Sequence, residues 1–135
     1  MNNNHEQKMI ALQWLHYAEG DLKSAQTLNS KGDLLFRNAC YLAQQSVEKA
    51  IKSLIVLRGI EIIRTHDLDA LIQRLSMEQK ALFDKFDLSW LSEWDVEARY
   101  LGDWPEANCG DADLAIQIAE NIYKLVLEIV NDTLT

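Results

Sequence analysis

Apolar residues recur at alternating spacings of three and four through three long segments of this chain, and this pattern constrains the fold more than any other feature. In the first segment, from about residue 10 to 30, one face carries Ala11, Leu15, Ala18, Leu22 and Ala25. This period is typical of an α-helix with one buried face. No segment shows the sustained alternation that indicates a β-strand. The pattern predicts an all-α protein.

The second long segment is the candidate central helix. From about residue 34 to 58 it carries a continuous apolar stripe whose middle consists of small residues such as Cys40, Ala43 and Ala50. Small side chains let another helix approach closely, while apolar residues such as Ile51 lie off the stripe. We therefore expect this helix to pack against neighbours on two sides.

Shorter apolar patterns lie between the second segment and a long closing helix. They predict further helices at about residues 68–75, 77–86 and 88–100. Thr65 is the expected N-cap of the first of these, and Asp111 the expected cap of the closing helix. The only proline falls in residues 101–110, which predicts a loop. The result is one domain over residues 1–135, an up-and-down helical bundle with additional short helices, whose first six polar residues are expected to be disordered.

Charge and hydropathy exclude several classes of function. Asp and Glu number 21 against 13 Lys and Arg, a net charge of -8, and such a chain is repelled by a phosphate backbone. Any contact with nucleic acid must therefore be local. No apolar run reaches the ~20 residues of a membrane helix, and the N-terminal sequence lacks the apolar stretch of a signal peptide. We expect a cytoplasmic protein that does not contact a membrane.

Metal-binding spacing is absent along the chain. Neither Cys40 nor Cys109 has a second ligand at a typical metal-site spacing, the three histidines are scattered, and the carboxylates are dispersed along helices. We expect no metal site and no cofactor, and we interpret Cys40 as a small core residue.

Four segments carry a resemblance to a known family. They are residues 14–22, residues 43–52 (AQQSVEKAIK), residues 65–68 (THDL) and residues 97–106 (EARYLGDWPE). Their order and spacing resemble the HEPN domain family over nearly the whole chain. The resemblance implies an up-and-down helical bundle, often homodimeric, and many such domains are encoded with a small nucleotidyltransferase in toxin–antitoxin-like pairs. Other members are ribonucleases.

The ribonucleases of that family carry an Arg followed after four to six residues by a His, so that Arg binds phosphate and His transfers a proton. This motif is absent here. The histidines are His5, His16 and His66, and none has an Arg five to seven positions before it. The nearest case is Arg58, eight positions before His66. The sequence therefore favours a protein without catalytic residues of its own.

Candidate binding residues lie on the second helix and just after it. Lys49 and Lys52 either belong to an exposed polar ladder, in which Glu48 pairs with Lys52, or contact a nucleotide phosphate. His66 is either an acid–base partner of Asp67 or part of a helix start. We favour the structural interpretation in both cases.

The segment before the closing helix is the most suggestive. Arg99 can pair with a phosphate in bidentate fashion, and Tyr100 or Trp104 can stack on a base. Alternatively, Arg99 pairs with Asp103 or Asp95, and the aromatic rings cover the end of the bundle. The two interpretations are left open.

The leading hypothesis is a non-catalytic HEPN-type protein that binds a nucleotide or a partner. Under this hypothesis, the chain is the accessory subunit of a nucleotidyltransferase pair in a toxin–antitoxin-like system. A homodimer is expected because the second and closing helices are apolar over more than one face. The alternatives are a metal-independent endoribonuclease (a toxin), whose site forms across the dimer interface and acts on RNA, and a stand-alone nucleotide-binding module.

Overall fold

Three long helices and three short ones form the structure, a computed structural model that describes residues 3–95 and 106–133. Within these ranges every regular element is helical and there is no strand. The elements in chain order are α1 (Asn3–Asn29), a short 3-10 helix (Asp33–Leu35), α2 (Phe36–Leu57), α3 (Leu68–Ile72), α4 (Met77–Leu82), α5 (Leu88–Ser92) and α6 (Cys109–Asp132). The predicted all-α helical bundle is confirmed.

The central helix is α2, as the small residues on its stripe predicted. It packs against α1, α6, α3 and α5, and α1 also packs against α6. Small side chains line the contacts, and fully buried examples are Ala11 and Ala18 on α1 and Cys40, Ala43 and Ala39 on α2. Because these side chains are short, the long helices approach closely along their buried faces.

Cys40 has the packing role expected from the sequence. It is fully buried, and burial raises the pKa of its thiol to about 12. The thiol therefore stays protonated at neutral pH and acts as a small apolar group. Cys109, at the start of α6, is exposed.

The N-terminal residues differ from the expectation. We expected residues 1–6 to be disordered, yet α1 begins at Asn3, so the prediction is wrong for residues 3–6. Once a helix is nucleated, each further residue adds a backbone hydrogen bond, and polar residues can extend it. One turn later, Lys8 Nζ donates to the carbonyl oxygens of Asn131 and Thr133, at 3.3 and 3.0 Å, which joins this end of α1 to the end of α6.

The short helices are shorter than predicted and are capped by other residues. Asp67, and not Thr65, is the N-cap of α3, because its side chain accepts from the backbone N–H of Asp69. Thr65 Oγ1 instead accepts from the backbone N–H of Asp67. Ser76 and Asp87 cap α4 and α5 in the same way.

The closing helix also starts earlier than expected. Its first residue, Cys109, lies inside the predicted loop at 101–110, and Asn108 is the N-cap. Asp111 takes part as the reciprocal member of a capping box, accepting from the backbone N–H of Asn108. Asp111 therefore takes part in capping this helix, as predicted, but the N-cap itself is Asn108.

The off-stripe apolar residues of α2, which were one reason to expect a homodimer, are not on the surface. Ile51 and Ile55 on α2, which lie off its main stripe, are fully buried within the single chain. The large apolar side chains that stay exposed include three on α1, namely Met9 at 51%, Ile10 at 46% and Tyr17 at 62%. Among the described residues, no helix combines the length and the hydropathy that a membrane span requires.

Candidate functional site

A row of polar residues on α2 is buried, which corrects one expectation from the sequence. Gln44 is fully buried and Glu48 is 4% exposed, so the exposed ladder that we expected around Lys49 and Lys52 is wrong. The cause is the central position of α2, whose faces are covered by α1, α6 and the short helices. Buried polar groups of this kind require partners, and the neighbouring elements supply them.

Glu48 lies at the centre of these contacts. Its Oε2 accepts from Lys52 Nζ at 2.9 Å, and its Oε1 lies 3.1 Å from His66 Nδ1. His66 belongs to the link between α2 and α3, and its backbone carbonyl oxygen accepts from Gln44 Nε2 at 3.4 Å. Helix α2 thus carries Glu48 and Lys52, and through Gln44 it also holds the backbone of His66.

A second carboxylate reaches the same histidine. Asp95, just after α5, places its Oδ2 2.8 Å from His66 Nδ1. The side chains of Asp95 and Glu48 are only 1% and 5% exposed, whereas that of His66 is 46% exposed. An ionised carboxylate only accepts hydrogen bonds, so the contact with Glu48 requires the tautomer in which Nδ1 is the donor, and Nε2 is on the far side of the ring. We call Glu48, Lys52, His66 and Asp95 the His66 cluster.

Helix α1 adds two contacts beside the cluster. Lys52 Nζ lies 5.5 Å from the centre of the Trp14 ring, within the range of a cation–π interaction. Lys49 forms a hydrogen-bonded ion pair with Asp21. Both lysines therefore already have acidic partners, and a nucleotide phosphate would have to compete with them.

Three of the four segments that carried the family resemblance meet here. Trp14 and Asp21, from residues 14–22, contact Lys52 and Lys49, which belong to residues 43–52. His66, from residues 65–68, contacts Glu48 of the same α2 segment. The fourth segment follows Asp95 along the chain. Arg99, Tyr100, Asp103 and Trp104 lie outside the described residues.

His66 has other partners than the one considered from the sequence. The neighbouring Asp67 turns its carboxylate to the N-terminus of α3, where Oδ1 accepts from the backbone N–H of Asp69 at 3.0 Å. The acid–base pair of His66 with Asp67 is therefore not formed, and Glu48 and Asp95 replace it. The sequence did not connect Asp95 with His66 because three short helices lie between them, and no periodic pattern links the two residues.

Fold and site together define an all-α bundle protein with a buried polar cluster against its central helix. The chain belongs to the HEPN domain family, since a model of that family matches residues 11–130. The resemblance stated from the sequence is thus confirmed.

Solved structures agree with this assignment. The chain is similar to TT1696 from Thermus thermophilus, with 26% identity and a TM-score of 0.70, covering 87% of this chain and 96% of that one. It is also similar to ST0689, an archaeal HEPN homologue, with 28% identity and a TM-score of 0.68, covering 89% of this chain and 97% of that one. No curated protein sequence matches the chain significantly.

Proposed function

We propose that this HEPN protein acts by binding, as the accessory subunit of a small nucleotidyltransferase in a toxin–antitoxin-like pair. The observation that carries the proposal is the exposed apolar surface on α1, next to a polar cluster whose charged groups are paired with one another. A surface of this kind favours contact with another protein chain. We assign the apolar surface to a second copy of this chain, and the nucleotidyltransferase partner is what the family resemblance implies.

The apolar surface on α1 includes a groove of about 310 Å³. It is lined by Ile10, Gln13, Trp14 and Tyr17, whose spacings of three and four place them on one face of the helix. Tyr17 and Ile10 are 62% and 46% exposed. An aromatic ring beside aliphatic side chains is typical of the centre of a protein interface. We propose that a second copy of this chain binds here and forms a homodimer.

Tyr17→Glu should convert the dimer to a monomer, because the substitution places a charge at the centre of an apolar interface. Sedimentation of both proteins at high micromolar concentration measures the change. Met77→Glu is the matched control, since Met77 is 85% exposed and lies on α4. If the wild-type protein sediments as a monomer at this concentration, the proposed homodimer is contradicted.

Nucleotidyltransferase binding is the direct test of the accessory role. If Arg99 contacts an acidic surface or a phosphate, Arg99→Ala should weaken binding by about 1–3 kcal/mol, the range for losing a charge-assisted hydrogen bond. Arg64→Ala is the control, because Arg64 is exposed in the link between α2 and α3. Trp104→Ala should also lose affinity, and Trp104→Phe should keep much of it if the ring stacks.

The assay is a titration of the protein with a small nucleotidyltransferase, the partner that the proposal requires, with the melting temperature of each variant recorded in parallel. A nucleotide is titrated separately, because the fourth segment, with Tyr100 and Asp103, is equally a candidate to bind one. Unchanged affinity for both ligands in Arg99→Ala and Trp104→Ala would contradict a binding role for this segment. A reduced melting temperature with unchanged affinity would assign Trp104 to packing.

A metal-independent endoribonuclease is the second candidate, and the geometry of His66 favours it. Two carboxylates hold Nδ1, and within the described residues no hydrogen bond involves Nε2. An imidazole oriented by a carboxylate at Nδ1, with Nε2 facing away from it, has the geometry of a proton-transfer group. RNA cleavage by the wild type in the presence of a chelator, lost in His66→Gln, would support this candidate and count against the binding role.

A further inference from the structure

We propose that Glu48, His66 and Asp95 form a binding site for a divalent transition-metal ion of the Zn²⁺ or Mn²⁺ type. This proposal does not depend on the accessory role. Our expectation of no metal site used ligand spacing along the chain, and these three residues come from α2, the link before α3 and the segment just after α5. Folding brings them together although their spacing in sequence gives no signal.

The three donor atoms have the separation that a shared ion needs. Glu48, His66 and Asp95 each offer one ligand atom, and these three atoms all lie within 4.8 Å of one another. His66 Nδ1 lies 3.1 Å from Glu48 Oε1 and 2.8 Å from Asp95 Oδ2. Ligand atoms that bind one ion at about 2.0–2.2 Å are roughly 3–3.5 Å apart, so these two distances from His66 Nδ1 need to change by only a few tenths of an ångström. His66, on an exposed link, is the residue that can move.

The identity of the donors suits a metal of this class. One imidazole nitrogen with two carboxylate oxygens is a common ligand set for Zn²⁺ and Mn²⁺, and it does not favour the soft ion Cu⁺. A divalent ion would neutralise the two carboxylates of Glu48 and Asp95, which are 5% and 1% exposed and costly to bury as anions.

Neighbouring groups hold the ligands in position. Lys52 binds Oε2 of Glu48, which fixes the carboxylate with Oε1 turned to His66. Gln44 Nε2 donates to the backbone carbonyl of His66 and restrains the link that carries the ring. Outer hydrogen bonds of this kind orient metal ligands and contribute to affinity. The side chain of His66 is 46% exposed, so the ion can reach the two buried carboxylates from the side of the cluster that this ring covers.

A proton is the rival occupant of the same place. A proton on Nδ1 can pair with the carboxylates of Glu48 and Asp95 without any metal. A metal ion must displace that proton, because a histidine ligand binds through a nitrogen lone pair. The experiment therefore has to detect the ion itself and its contact with His66.

Calorimetric titration of the full chain with Zn²⁺, after chelator treatment, should give one ion per chain. Asp95→Asn and His66→Gln should each weaken binding by about 100-fold or more, since losing an outer partner alone costs 10–100-fold. His16→Gln and Glu61→Gln are matched controls that should keep wild-type affinity. Cys109→Ser should keep it too, which excludes the exposed thiol as the ligand.

A second measurement does not depend on whether a variant folds. Zn²⁺ should shift the imidazole ¹⁵N resonances of His66 in the wild type and leave those of His16 in place. Absence of stoichiometric binding, unshifted His66 resonances, or wild-type affinity in both Asp95→Asn and His66→Gln would each overturn the proposal in favour of the proton-bridged ion pair.

Discussion

Leu54→Ala should lower the free energy of unfolding by about 3–5 kcal/mol, near the upper end for truncating a buried leucine. Leu54 is fully buried on α2, the helix that packs against α1, α6, α3 and α5. A cavity at the centre of the bundle has helices around it that cannot collapse without losing their other contacts. The loss therefore includes both the transfer of the removed atoms and the remaining cavity.

Urea unfolding followed by circular dichroism measures this change as a lower midpoint at constant slope. Leu34→Ala is the control with the same chemistry, because Leu34 is 94% exposed and should change the free energy of unfolding by less than about 0.5 kcal/mol. Equal effects at the two positions would contradict the assignment of α2 as the central helix.

Glu48→Ala should lower the free energy of unfolding by about 2–4 kcal/mol. The carboxylate of Glu48 is paired with Lys52 and His66, and its removal leaves the ammonium of Lys52, only 14% exposed, without its acidic partner. Breaking a fully buried pair on one side costs about 3–5 kcal/mol, and the partial exposure of Lys52 and His66 reduces this value.

Lys23→Ala is the control for Glu48→Ala, because it breaks a pair of the same i,i+4 spacing on the surface. Lys23 and Glu19 are 3.8 Å apart with side chains 71% and 41% exposed, so the loss should be about 0.5 kcal/mol or less. The double variant Glu48→Ala/Lys52→Ala should lose less stability than the sum of the losses in Glu48→Ala and Lys52→Ala, because neither charge is then left without its partner. Additive losses would show that Glu48 and Lys52 do not stabilise each other.

Helical periodicity was sufficient to predict the long helices, because each buries a stripe in the same core. Ends of helices were less predictable, since Thr65 and Asp67 are both good caps and the choice depends on which side chain reaches a free backbone N–H. The start of α1 was missed because residues 3–6 have no apolar pattern, although they extend a helix already formed.

The site was predictable only in part. Lys49, Lys52 and His66 were singled out from the sequence, but the burial of Glu48 was not, because an i,i+4 pair looks the same on a covered face and on an exposed one. Asp95 could not be connected with His66 from the sequence, since their contact depends on how α3, α4 and α5 fold between them. Long-range contacts between short elements leave no periodic signal.

The contact of Lys8 with the last turn of α6 brings the start of α1 and the end of α6 close together. Lys8 Nζ binds the carbonyl oxygen of Thr133, so the two ends of the described chain lie side by side. A short peptide could therefore join them, and new termini could be opened at the turn around Gly32, between α1 and the 3-10 helix. Such a circular permutant would keep every helix and its neighbours, because side-chain packing, rather than the order of the helices along the chain, determines the bundle.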